Sequence, residues 1–355
     1  MNEAKILSRA DIYEKKQEIE KSRVETEFNR LEENKKRSEQ LKNFSLDALE
    51  AKKGEMNAKK AIGILERDKQ LIKQAVTFIS PEFSAVCPLC PGGIYLVGAI
   101  SGTGKSTCAA AITKELYLQG KNTFIISNEE TAAKIYARIA CSDIGVDFNM
   151  YIQDKLPVEI RKQVAHKIIE IEPYITIADD PIGSTTVEPM EAILKEVDAS
   201  GKYSCIIIDF AQRIVKSIKN PIAERTQVLY AFKDVLTDFA QHAKVPVVLM
   251  TQLTPLPSDE VERNFESRIK WARGLYEAAA ASIEIIKLKG LPVSVFYVAK
   301  GRFSKAEVSI THKFDSGSFS FINKQQLKKI KDTHQMQQLN DLAGSLRDED
   351  EDIEE

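Results

Sequence analysis

The sequence predicts an α/β protein: a mostly parallel sheet with antiparallel C-terminal strands, preceded by a helical N-terminal extension. Three observations predict it. From about Ile79, short β-branched runs alternate with helical segments, and the runs are apolar almost throughout, as strands covered on both faces must be. After Ala281 the runs follow one another too closely for helical crossovers, which points to antiparallel pairing. Before Ile79 the chain is dense in Glu, Lys, Arg, Gln and Asn, with few apolar residues.

Residues 1–78 are the expected extension. They contain no Pro, and Gly only at Gly54 and Gly63. Ile12, Ile19, Val24, Phe28 and Leu31 keep partial helical spacing, whereas Glu32 to Gln40 has no apolar residue, so long and mostly solvated helices are expected. The sheet unit spans 79–325. Its expected parallel strands are 94–99, 123–127, 174–178, 205–209 and 246–252. Ile283–Lys287, Val293–Ala299, Glu307–Lys313 and Phe319–Ile322 then extend one edge. Residues 326–355 are polar, end in an acidic run after Arg347, and read as a disordered tail.

Bulk properties narrow the function. A 355-residue chain that is 43% hydrophobic can bury a real core. A net charge of -2 excludes nucleic-acid binding by bulk positive charge, but not by local Lys and Arg residues. Five cysteines in a chain of this length make no disulfide scaffold, which predicts a reducing, cytoplasmic setting. No apolar run reaches membrane-spanning length, so no membrane partner is expected.

The chemistry concentrates at strand ends. Ile94 to Ala99 is an apolar strand that runs into Ser101-Gly102-Thr103-Gly104-Lys105-Ser106-Thr107, and an apolar helix follows to Leu118. A glycine-bearing loop between strand and helix aims backbone N–H groups and a helix dipole at phosphates. In such a loop Lys105 reaches the β- and γ-phosphates of ATP and Ser106 ligates Mg²⁺. Ala99 stands where the strict pattern has its first Gly. Asp209 closes the run Cys205 to Ile208, where a carboxylate either supports the metal or caps the next helix. Glu129 and Glu130 follow the strand ending at Ser127; one can polarise an attacking water while the other caps a helix. Gln252 ends the fifth strand and either reads a γ-phosphate or is an ordinary polar terminus. Lys300 and Arg302 follow a later strand, as a cationic finger for a neighbouring subunit or as a solvated turn.

Two basic loops are candidate single-strand contacts. One carries Lys216, Lys219 and Arg225; the other carries Arg263, Arg268, Lys270 and Arg273. Cys87-Pro88-Leu89-Cys90 has the spacing of half a zinc site, but Cys108, Cys141 and Cys205 supply no second pair and the four histidines are scattered. A turn entering the sheet is the plainer expectation there.

Taken in order, these pieces resemble the RecA-like motor domain of DnaB-type replicative helicases, over residues 80 to 323. Pro91-Gly92-Gly93-Ile94 and Ala99–Thr107 are similar to the family's phosphate-loop segment. Ser127-Asn128-Glu129 resembles its Ser-Leu-Glu element, which favours Glu129 over Glu130 as catalytic base. Ile207 to Gln212 resembles its Asp-Tyr-Leu-Gln segment, Met250-Thr251-Gln252-Leu253 its Ser-Gln-Leu strand end, and Lys300-Gly301-Arg302 its Lys-x-Arg finger. The resemblance implies a P-loop NTPase that forms a hexameric homo-oligomer, binds ATP and Mg²⁺ between protomers and moves along single-stranded DNA. Residues 1–75 depart from the family's globular N-terminal collar and from a primase domain; a linker helix docking on the next protomer is the expectation there, with a loader or primase as partner. A recombination or repair ATPase of RecA or RadA type is the alternative on the same core, and a nucleotide-gated, non-catalytic DNA-binding assembly protein is a third.

Overall fold

The computed structural model describes residues 72–335 apart from 180–185, 210, 215, 221, 256–263, 270–272, 303 and 316–317, together with 65–66 and 69–70. The chain divides into units of Met1–Asp68 and Lys69–Glu355. Nearly all of the first lies outside the described residues, as do most of the expected extension and the last twenty residues of the tail. The second unit begins earlier than the expected boundary at residue 79, because Val76 already bridges Leu89 and Phe78 is fully buried.

The parallel strands are β1 (Ile94–Ala99), β2 (Thr123–Ser127), β3 (Ile175–Asp179), β4 (Cys205–Asp209), β5 (Val247–Gln252) and β6 (Ala281–Lys287). Three more, β7 (Val293–Gly301), β8 (Val308–Asp315) and β9 (Ser318–Phe321), complete one sheet in the order β3-β2-β4-β5-β1-β6-β7-β8-β9. Pairing is parallel from β3 to β6 and antiparallel from β6 to β9. The expected antiparallel group therefore starts one strand later, since β6 lies parallel to β1.

The helices are α1 (Pro81–Val86), α2 (Lys105–Leu118), α3 (Ala132–Ile144), α4 (Phe148–Ile152), α5 (Val158–Ile171), α6 (Val187–Ser200), α7 (Arg225–Ala243), α8 (Phe265–Arg268) and α9 (Arg273–Ala278). Alternation along the strands sorts the core into two layers. Val97, Ile207 and Met250 join Ile112 and Leu116 of α2 and Ile139 of α3 on one face. Leu96, Ile208 and Leu249 join Leu194 of α6 and Phe232 and Leu236 of α7 on the other. Both faces are covered, which is why these strands lack an in-out polarity pattern.

Two boundaries differ from expectation. Helix α2 begins at Lys105 rather than Thr107. Residues 324–335 are helical, although they extend into the stretch expected to be a disordered tail.

Candidate functional site

Parallel register builds the site. Ala99 lies level with Gln252, and Ser127 with Asp209, so the ends of β1, β5, β4 and β2 form one edge. Strand β5 separates β1 from β4, which sets Gln252 between the phosphate loop and Asp209. The sequence showed these residues at strand ends; strand order makes them neighbours.

The loop is shaped for an anion. Gly102 and Gly104 have φ of 78° and 100°, a left-handed region that costs a side chain strain and glycine nothing. Gly104 is the N-cap of α2 and offers no side-chain acceptor, so no side chain caps the helix N-terminus. Ala99 fits the place of a glycine because it is fully buried and its methyl packs in the first core layer, away from the loop.

Four side chains meet beside the loop. The Ser106 hydroxyl donates to Asp209 Oδ2 at 3.1 Å, and Lys105 Nζ lies 3.9 Å from Glu129 Oε2. Asp209 is 5% exposed, and its Oδ1 is buried without a hydrogen-bond partner. Burial pushes the Asp209 carboxyl up; Lys105 opposes this, Glu129 adds to it, and the Ser106 bond opposes it weakly. A buried carboxylate oxygen without a partner, beside a serine hydroxyl, is a hard-oxygen donor set suited to Mg²⁺ with its retained waters. Glu130 is engaged elsewhere, bonding Arg138 at 2.5 Å. Glu129, with a side chain 39% exposed, is the carboxylate that faces the loop lysine.

Lys300 and Arg302 lie at the other edge of the sheet. Gly301 is level with Ala281, and Ala281 with Tyr95 near the start of β1. The end of β1 is four residues further on, ~13 Å along the strands, and two strand spacings, ~10 Å, to the side. Neither cation can reach its own chain's phosphate loop. Lys300 Nζ bonds the carbonyls of Tyr276 (2.6 Å) and Glu277 (3.0 Å), and Arg302 bonds the Glu277 carbonyl at 2.8 Å. Both thus rest on the negative C-terminal end of α9. Arg302 also lines a 410 Å³ cavity with Lys233, Gly92 and Glu277.

The basic loops divide. Lys216 and Lys219 are exposed after β4, where Glu188 of α6 accepts from the Ser217 hydroxyl and from the N–H groups of Ile218 and Lys219. Ile218 and Ile222 are exposed on the same loop. Arg273 is exposed but paired with Glu266 at 2.7 Å. Two candidates are corrected. Arg268 is 2% exposed and bonds Glu284 at 2.7 Å and the Thr254 carbonyl at 2.9 Å, so it is a core ion pair with no face for a nucleic acid. Arg225 is half-buried with its guanidinium on the Gln212 carbonyl. Arg263 and Lys270 lie outside the described residues.

Cys87 and Cys90 are buried and free, and burial pushes the Cys87 thiol up to about 12. The Tyr95 hydroxyl accepts from the Cys90 N–H and donates to the Pro88 carbonyl, which pins this segment as a turn into β1. Among the described residues no group of three or more His, Cys, Asp or Glu could hold a metal ion. Glu188 and the Gln212 amide were not legible as contacts, because each bonds partners about 30 to 40 residues away without a repeating pattern.

The model of the DnaB-like helicase C-terminal domain matches residues 85–267, just over half of the chain. The chain belongs to that family. Its RecA-like core is similar to a solved ATPase domain, with a TM-score of 0.64 at 15% identity, covering 76% of this chain and 100% of that one. It is also similar to a DnaB-like replicative helicase solved in a study of its interactions with primase, with a TM-score of 0.63 at 15% identity, covering 76% of this chain and 68% of that one. No curated protein matches by sequence. The DnaB-like match ends before β6, so β7, which carries Lys300, lies beyond it. Among the described residues no helix is long and apolar enough to cross a membrane.

Proposed function

We propose that this chain is the motor of a ring-forming replicative helicase that hydrolyses ATP and moves along single-stranded DNA. One observation carries the reading: a nucleotide edge built from Lys105, Ser106, Glu129, Asp209 and Gln252, with two cations on the opposite edge that cannot serve it in the same chain.

Each residue has a role in this reading. The uncapped N-terminus of α2 and the Ala99–Thr107 loop hold the phosphates. Lys105 exchanges its contact with Glu129 for the γ-phosphate, which releases Glu129 to polarise the attacking water. Ser106 and Asp209 would hold Mg²⁺, which neutralises phosphate charge when bound. Gln252 reports the γ-phosphate. Lys300 and Arg302 leave the α9 carbonyls to meet the triphosphate of an adjacent protomer, so turnover requires assembly, in a hexamer by family analogy. Lys216 and Lys219 contact the single strand. A primase or a loader is the expected protein partner.

Steady-state ATP hydrolysis, with and without single-stranded DNA over a range of protein concentrations, tests this. Shared sites predict turnover rising faster than linearly with protein and stimulated by the single strand. Turnover strictly linear in protein and indifferent to DNA contradicts it.

A further inference from the structure

Gln212 occupies an unusual place in the sheet. Strands β4 and β5 pair only as far as Ile208 and Leu249, after which the main chains separate. The Gln212 side chain, 3% exposed, fills the gap. Its Oε1 accepts from the Gln252 N–H at 3.1 Å, and its Nε2 donates to the Gln252 carbonyl at 3.0 Å and to the Thr251 hydroxyl. The amide therefore does for residue 252 what a neighbouring strand would do. Its orientation is fixed, since a main-chain N–H requires the amide oxygen. The Gln212 main-chain carbonyl accepts from the Arg225 guanidinium. Arg225 opens α7, at the far end of the segment bearing Lys216 and Lys219. Residue 252 and both ends of that basic segment thus share one buried residue.

We propose that Gln212 is a positioning residue that couples the phosphate-reading end of β5 to the basic segment between β4 and α7. A shift of the Gln252 main chain on binding triphosphate must either break two hydrogen bonds or carry Gln212 with it. Moving Gln212 moves the carbonyl on which Arg225 is anchored, and so the base of the segment that meets the single strand. By reciprocity, a strand held on that segment biases the position of Gln252. The coupling rests on the motor reading above and adds a physical connection to it.

The test is the affinity of a fluorescent single-stranded oligonucleotide for the full chain, with Mg²⁺ and either ADP or a non-hydrolysable ATP analogue. The two states of the wild-type chain should differ about tenfold in Kd, within the usual range of coupling between sites. Gln212→Met keeps side-chain length and removes the amide. It should bring the two Kd values within about twofold while fluorescent ADP still binds, a pattern that simple loss of packing would not give. Arg225→Met, at the half-buried end of the connection, guards against unfolding of the buried variant. It should also collapse the ratio, whereas a mere phosphate contact would weaken both Kd values equally and leave the ratio intact. A ratio unchanged in either folded variant overturns the coupling and leaves the motor reading standing. A wild-type chain with no difference between nucleotides overturns the coupling too, and its DNA-stimulated ATPase then decides the motor reading separately.

Discussion

Asp209 carries a conflict between stability and function. Its carboxyl is pushed up by burial, with Lys105 and Glu129 acting in opposite senses. A folded-state pKa above the unfolded value means stability is fully present below the unfolded pKa and falls as pH rises through the folded one. Above that range the buried carboxyl therefore costs folding energy that a bound cation would offset. Asp209→Asn should raise the nucleotide-free Tm, by about 0.5–2 kcal/mol in stability, while lowering Mg²⁺-dependent turnover at least ~10²-fold. Calorimetry beside an ATPase assay checks both; an unchanged or lower Tm contradicts the cost. Lys105→Ala should abolish turnover with the fold intact, and vigorous hydrolysis in that variant would remove the phosphate-loop assignment. These residues were legible because motif and strand end coincide in the sequence. Arg225 and Arg268 were not, since a basic residue in a polar loop looks solvated until its acceptor, Gln212 or Glu284, is known.

At the scale of elements, two contacts hold the sheet's functional edge. The buried Arg268–Glu284 pair joins α8 to β6. Deleting one partner strands the other charge, so Glu284→Ala should destabilise by about 3–5 kcal/mol, measured by denaturant unfolding. Arg268→Met with Glu284→Leu together should recover most of that loss; no recovery in the double variant would show that packing rather than charge is responsible. The second contact is Glu188, whose pKa three hydrogen bonds from the Ile218 N–H, the Lys219 N–H and the Ser217 hydroxyl hold down at about 2, against an ordinary 4.5. A depressed carboxyl stabilises above its unfolded pKa and loses that contribution as pH falls through the folded one. Hydrogen exchange at Ile218 and Lys219 should therefore accelerate between pH 4.5 and about 2 beyond the intrinsic trend, and Glu188→Ala should show the acceleration already at neutral pH. Parallel strands were legible from apolar runs bounded by turns. The pairing of β6 was not, because a strand between two neighbours of opposite direction carries no local sign of which it follows.

For the whole molecule, the informative fact is separation. Catalytic candidates gather where β1, β2, β4 and β5 end, and Lys300 and Arg302 lie across the sheet on the carbonyls of α9. The sequence placed both groups at strand ends but could not say that β7 runs opposite to β1. That direction follows from antiparallel pairing with β6, a non-local property. It turns a nearby-looking cation pair into one that cannot reach its own chain's phosphate loop, and under the proposed function it makes assembly a condition of turnover.

Mixing two inactive variants tests that condition directly. Glu129→Ala lacks the base but keeps the finger, and Arg302→Ala lacks the finger but keeps the base. Each alone should be inactive. In random cyclic assemblies at equal ratio, about a quarter of interfaces join an intact base to an intact finger, so ATP hydrolysis should return towards that fraction of wild type. No recovery at any ratio, with co-assembly shown by cross-linking, would contradict the shared site and the account built on it.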